Sequence, residues 1–228
     1  MSSVEWQIVA LSLRVSFVAV LVTLPVAFGF AWLLARKRFA GKVLVDAVVH
    51  LPLVLPPVVT GWLLLILFGA NGPLGRFFEA VFGITFVFRW TGAALAAAVM
   101  AFPLMVRAIR LAVEAVDPKL EEAASTLGAP RLWVFATITL PLVLPGIIAG
   151  AILAFAKAMG EFGATITFVS NIPGQTQTLP SAIYAWLQVP GGDDQAFRLV
   201  LVAIVIAMAA LLLSEWVSRA VARRISGQ

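Results

Sequence analysis

Residues 116–141 read VDPKLEEAASTLGAPRLWVFATITLP, the longest piece of an otherwise apolar chain whose polar residues follow a helical plan. Asp117 is a good N-cap, and Pro118 suits the first helical position, where its missing N–H would go unpaired in any case. Glu121 and Glu122 fall near the positive end of the helix dipole. Leu120, Ala123, Ala124 and Leu127 recur at i, i+3, i+4 and i+7 and share one face, while Lys119, Glu122 and Ser125 point elsewhere. Gly128 supplies a left-handed stop, so the spacing predicts a helix over about 118–127. Its apolar face is narrow and centred on two alanines, which suits a helix lying in a shallow groove of a partner. The alternative is a solvated connector resting on its own protein.

The rest of the chain is membrane. Of its 228 residues 62% are hydrophobic and only 12% charged, with a mean hydropathy of +1.04, outside the range of soluble domains. The net charge of +5 sits in short clusters beside apolar segments, as orientation signals do, and forms no basic face for nucleic acid. With no cysteine and one histidine, disulfides, thiol chemistry and clustered Cys/His metal sites drop out. The start, MSSVEWQ, has no basic residue and no small-residue cleavage site follows, so the first apolar run is expected to stay as a membrane helix.

Five crossings are expected in one all-α domain, at about 6–35, 43–68, 90–113, 132–156 and 197–217. The second contains Asp46, His50, Pro52, Pro56 and Pro57, and each proline favours a kink or break. Residues 69–89 form a polar, glycine-rich connection. Pro141 and Pro145 bend the fourth segment, and Gly146 with Gly150 offers a close-packing face. From Met159 to Ala196 the chain is least regular, and the run 162–169 is too short to span as a helix, so it is expected to be a loop dipping toward a pathway. Thr165, Thr167, Ser170 and Asn171 are its candidate lining residues, and 179–187 is expected to be a short helix on the outer surface.

Sidedness follows from the basic residues. Arg36, Lys37, Arg38 and Lys42, then Arg107, Arg110, Lys119 and Arg131, then Arg219, Arg223 and Arg224, account for most of the 16 Lys and Arg residues. The opposite side holds Arg76, Arg89 and Arg198. The positive-inside rule then puts the N-terminus outside and places both the C-terminus and the 116–141 stretch in the cytoplasm.

No phosphate-binding loop is present, because Gly41-Lys42 is followed by Val43 and lacks the glycine-rich cradle. No Ser/His/acid group or paired carboxylates suggest an enzyme, and His50 reads as a hydrogen-bonded structural residue. Lys157 and Glu161, four apart, either pair on one helix face or, with Arg14, leave a cation to attract an anion near the path. Five helices enclose a polar path poorly, which points to two copies around a two-fold axis. A secondary transporter would show inverted repeats and acidic or histidine relays, of which only Asp46 and His50 are candidates.

Glu122-Ala123-Ala124, three residues, Gly128, nine residues, then Ile138-x-Leu140-Pro141 resembles the EAA motif of the permease subunits of bacterial ABC importers. That resemblance implies a coupling helix docked into a separate ATP-hydrolysing subunit through Glu121, Glu122, Ala123, Ala124, Leu127 and Gly128. Across LARKRFAGK (34–42), HLPLVLPPVVTGW (50–62), AFPLMVRAIR (101–110) and GEFGATITFVSNIPGQTQTLPSAIY (160–184) the chain is similar to molybdate permeases in particular. Sulfate/thiosulfate permeases share the GEFG and LPLVLPP stretches, and tungstate is a further alternative, since all three are tetrahedral dianions. The resemblance implies two ATP-binding subunits that hold ATP and Mg, a second copy of this chain, and a periplasmic oxyanion-binding protein. It implies no cofactor bound by this chain and a location in the bacterial inner membrane.

Overall fold

A computed structural model describes the backbone of residues 1–226, with side chains through Leu213 and those of Glu215, Trp216, Val217 and Arg219. The side chains of Arg223 and Arg224 and the last two residues of the expected 1–228 domain lie outside the described residues. The described chain is helical: α1 Ser3–Arg36, α2 Lys42–Val54, α3 Pro57–Phe68, α4 Pro73–Phe82, α5 Trp90–Glu114, α6 Pro118–Thr126 and α7 Arg131–Val134. A π-helical stretch, Phe135–Thr139, leads into α8 Leu140–Met159, followed by α9 Gly163–Val169, α10 Leu179–Leu187 and α11 Asp193–Ser226. Four continuous helices are long and apolar enough to cross a membrane: Ser3–Arg36, Trp90–Glu114, Arg131–Met159 and Asp193–Val217. The pair α2 and α3 makes up to five.

α5 is the centre of the bundle, because its small residues let neighbours close in. Ala93, Ala96, Ala97 and Ala101 are buried along it, as are Ala19, Ala27 and Ala31 on α1. On α8, a Cβ at Gly146 would lie 2.2 Å from Ala112 Cβ, and one at Gly150 would lie 3.1 Å from Ala108 Cβ. The expected close-packing face is therefore real, and it packs on α5. With lipid tails as apolar as leucine, such close backbone approach stands in for the hydrophobic drive that water supplies elsewhere.

The second expected segment, 43–68, is not one helix. It breaks at Leu55 and Pro56 into α2 and α3, whose axes differ by 114°. Pro56 and Pro57 remove consecutive donors, and Pro57 then serves as a first helical residue. The two halves still carry the chain from one end of α5 to the other. Asp46 on α2 meets Arg110 near the C-terminal end of α5 at 3.0 Å, whereas Phe68 closes α3 edge-on against Phe86, just before α5 begins.

Two further expectations change. Residues 69–89 contain the helix α4, started by Pro73 after Gly72 and stopped by Gly83 at φ +65°, with Phe78 set against Phe68 and Phe86. Residues 163–169, expected as a loop, form the two turns of α9, buried against α3 and α5: a Cβ on Gly61 would fall 2.5 Å from the Ala164 carbonyl oxygen, and one on Gly92 would fall 2.6 Å from Val169 Cγ1. The short helix 179–187 is present as α10. The remaining spans run longer than expected: Ser2 caps α1 through a capping box with Glu5, α8 continues to Met159, and α11 covers Asp193–Ser226 against an expected 197–217.

The bundle has two distinct ends. At one, Glu5 near the start of α1 holds Arg198 near the start of α11, at 2.8 Å. At the other, Arg36 at the end of α1 reaches Glu121 on α6, at 2.9 Å. The three basic clusters' first two members thus share an end with the 116–141 stretch.

Candidate functional site

α6 is built as its residues foretell. The Asp117 carboxylate accepts the Lys119 N–H at 3.0 Å, and Pro118 occupies the first helical position. At the other end Gly128 has φ +86°, its N–H bonds the Ser125 carbonyl at 3.0 Å, and the Ala129 N–H reaches back to the Ala124 carbonyl at 3.2 Å. This is a Schellman closure, which a residue with a Cβ adopts only under strain.

The two faces of α6 have different fates. Ala124 is buried on the chain's own side, but Leu120, Glu122 and Ala123 are exposed, and Leu127 is 88% exposed. Leu132 and Trp133, which sequence reasoning did not single out, are exposed beside them at 83% and 56%. A shallow depression of about 370 Å³ lies between Ala124, Leu127, Gly128, Pro130 and Trp133. The signal for Leu132 and Trp133 was available: two large apolar residues just after Pro130-Arg131, at the start of a short helix, have nothing of their own to pack on. So the helix rests on its own protein along one side and offers an apolar edge along the other.

Glu121 belongs to the first side. Its Oε1 accepts from Arg36 Nη2 at 2.9 Å and from Thr139 Oγ1 at 2.7 Å. One carboxylate thereby ties α6 to the end of α1 and to the π-helical stretch. That stretch precedes Pro141, and the Leu140 N–H bonds the Phe135 carbonyl, five residues back. Widening by one residue is a usual way for a helix to absorb the donors that Pro141 and Pro145 lack.

The candidate pathway residues come together around α9, though mostly as structure. Lys157 Nζ donates to Glu161 Oε2 at 2.9 Å, with the Glu161 side chain 2% exposed and that of Lys157 32%. The other oxygen of Glu161 accepts the Ala164 N–H at 3.0 Å and so caps α9. Thr165 is buried, and the Thr167 hydroxyl donates to the Gly163 carbonyl at 2.8 Å. Ser170 is exposed with φ +63° and ψ −171°, and its carbonyl accepts from Thr176, whose hydroxyl in turn accepts the Ile172 N–H. Asn171 Oδ1 is buried without a hydrogen-bond partner. His50 Nδ1 lies 2.9 Å from the Asp46 carbonyl oxygen, one turn back on α2.

The described residues form a polytopic helical bundle that presents a short capped helix with an apolar edge, and the family it matches is one of transport permeases. The chain belongs to the family described as the binding-protein-dependent transport system inner membrane component, matched over residues 24–227, and is a multi-pass inner-membrane protein. It is 64% identical over 215 residues to the molybdenum transport system permease protein ModB of Escherichia coli K12, covering 94% of each chain. It is 55% identical over 221 residues to the Haemophilus influenzae protein of the same name, covering 97% of this chain and 96% of that one. The sulfate transport system permease protein CysT of Salmonella typhimurium is 42% identical over 158 residues, 69% of this chain and 57% of that one. Among solved structures, a bacterial alginate ABC transporter in complex with an alginate-bound periplasmic protein shares the fold, with TM-score 0.76 at 18% identity over 97% of this chain and 80% of that one.

Proposed function

We propose that this chain is the membrane-spanning subunit of an ATP-driven molybdate importer. The observation that carries the substrate is the end-to-end match at 64% identity to a molybdenum permease, against a partial match to the sulfate permease. Two copies of the chain form the pathway about a two-fold axis, two ATP-binding subunits hold ATP and Mg, and a periplasmic protein delivers the oxyanion. The N-terminus is periplasmic and the C-terminus cytoplasmic.

α6 is the coupling helix. Its edge of Leu120, Ala123 and Leu127, with Glu122 beside it, enters a groove of the ATPase, and the Gly128 turn brings Leu132 and Trp133 to the rim. Glu121 faces away from that groove and fixes α6 to α1 and to the π-helical stretch, so a push on α6 is delivered to both. The widened turn with Pro141 and Pro145 is the place where α8 can yield without losing further hydrogen bonds. Near the outer end, Lys157, Glu161, Thr165, Thr167, Ser170 and Asn171 shape the path. Glu161 holds α9 in place there, and Lys157 keeps a partly open cation toward the solute.

The test is uptake of labelled molybdate by proteoliposomes holding the permease, its ATPase and the binding protein, with tungstate and sulfate as competitors. Uptake that needs ATP and the binding protein, and that excess sulfate leaves unchanged, is the expected outcome. Sulfate uptake of equal efficiency would move the substrate assignment, and ATP-independent uptake would favour a secondary transporter.

A further inference from the structure

Three arginines of the bundle are spoken for: Arg36, Arg110 and Arg198 each hold a carboxylate at 2.8–3.0 Å. Arg14 and Arg89 are not, and no ion pair engages either among the described residues. Both line one cavity of about 680 Å³ between α1, the turn before α5 and the 174–175 turn, where Thr85, Thr91 and Gln175 add neutral polar groups. An adjoining cavity of about 370 Å³ shares Arg14 and adds Gln7 and Gln177. Among the described residues no carboxylate lines either space.

The Arg14 guanidinium carbon sits 3.9 Å from the centre of the Trp90 ring. Stacking uses the flat face of a guanidinium and leaves its edge N–H groups available, the edge that matches an oxyanion. Arg89 immediately precedes Trp90, and its loop is pinned where the Thr91 hydroxyl donates to the Thr85 carbonyl at 3.0 Å. Phe88 beside it is held at φ +57°, a left-handed conformation unusual for an aromatic residue. An arginine in a membrane helix is costly unless it faces a wet space or a ligand, and Arg14 faces this cavity.

We propose that Arg14 and Arg89 form a binding site for a tetrahedral oxyanion at the end of the bundle remote from α6. This rests on the import reading for its sidedness, which makes the site periplasmic and places it where an oxyanion leaving the binding protein enters. Trp90 orients Arg14, and the two guanidiniums with Gln175 supply the donors a doubly charged, four-oxygen ion requires. A phospholipid phosphate, singly charged with two free oxygens, presents a weaker form of the same oxyanion edge, so the test separates the two sources.

The permease–ATPase complex, without binding protein, is placed in phosphatidylcholine nanodiscs, and equilibrium binding of labelled molybdate and sulfate is measured. Saturable binding is expected, weakened about tenfold by Arg14→Gln or Arg89→Gln alone and abolished by both together, as removal of a charge-assisted contact implies. Arg89→Lys retains part of it, and Arg76→Gln, on exposed α4, retains all of it. Loss of the wild-type binding when phosphatidylglycerol replaces part of the phosphatidylcholine assigns these arginines to an anionic lipid headgroup and overturns the reading of the site as one for the transported oxyanion. Binding equal in wild type and the double variant overturns the site, as does the absence of saturable binding in neutral lipid without any lipid selectivity. Stimulation of ATP hydrolysis by the loaded binding protein, measured in the same discs, reports separately on the import reading.

Discussion

Glu121→Ala removes a carboxylate that two elements share, and its cost can be worked from the geometry. The Arg36 and Glu121 side chains are 19% and 27% exposed, so their pair contributes about 1 kcal/mol. Thr139 is 1% exposed and loses the acceptor of its hydroxyl, which costs about 1–3 kcal/mol for a buried polar group left unmade. Together about 2–4 kcal/mol of the attachment of α6 to α1 and α8 is lost, and the lower figure already shifts a local equilibrium about thirtyfold. The exposed apolar edge of Leu120, Ala123 and Leu127, proposed to meet the ATPase, is untouched. Glu121→Ala should therefore still co-purify with the ATPase and hydrolyse ATP, while molybdate imported per ATP hydrolysed falls about tenfold or more. Glu121→Gln, which still accepts from Thr139, should fall between. The assay is uptake and hydrolysis measured in one proteoliposome preparation, and a transport-to-hydrolysis ratio in Glu121→Ala equal to wild type would refute the anchoring role.

Other positions give independent expectations. Gly128→Asp forces a side chain into φ +86° and a charge beside Leu127, and it should abolish coupled uptake while leaving the permease in the membrane; normal uptake would displace the docking turn. Gly61→Val meets the Ala164 carbonyl at 2.5 Å and Thr167 Cβ at 2.9 Å, so it should destabilise by about 1–3 kcal/mol, read as a melting temperature lowered by several degrees. Lys157→Met strands the buried Glu161 carboxylate and should lower both melting temperature and uptake, whereas Lys157→Met with Glu161→Gln should recover the melting temperature but not the uptake. Recovery of both would leave Lys157 with a purely structural role.

Local signals were legible where local groups decide the outcome. Asp117, Pro118 and Gly128 bound α6 through their own hydrogen bonds and backbone conformations, and the sequence limits of 118–127 differ from the structure by one residue. The prolines at 52, 56 and 57 announced a break, but not a turn of 114°, because the direction of α3 is set by its contact with α9 through Gly61 and Ala164, about a hundred residues later in the chain. α9 read as a loop because seven residues are too few to show a period, and its cap comes from Glu161, whose more visible feature was the spacing to Lys157. α4 was missed although Gly72-Pro73 and Gly83 mark its two ends, because glycines at 69, 72, 75 and 83 made the whole stretch read as a connection. The link from Glu121 to Arg36 spans 85 residues, and no spacing rule reaches that far.

The chain contains no cysteine, which makes the docking claim open to a direct measurement. Leu127→Cys, 88% exposed in the isolated chain, would be treated with a short bifunctional crosslinker in the assembled, ATP-hydrolysing complex, beside Phe17→Cys on the exposed face of α1. A crosslink to the ATPase subunit from residue 127 and none from residue 17 is expected. An active complex in which residue 127 stays free to react with solvent reagents and captures no ATPase would contradict the assignment of α6 as the coupling helix.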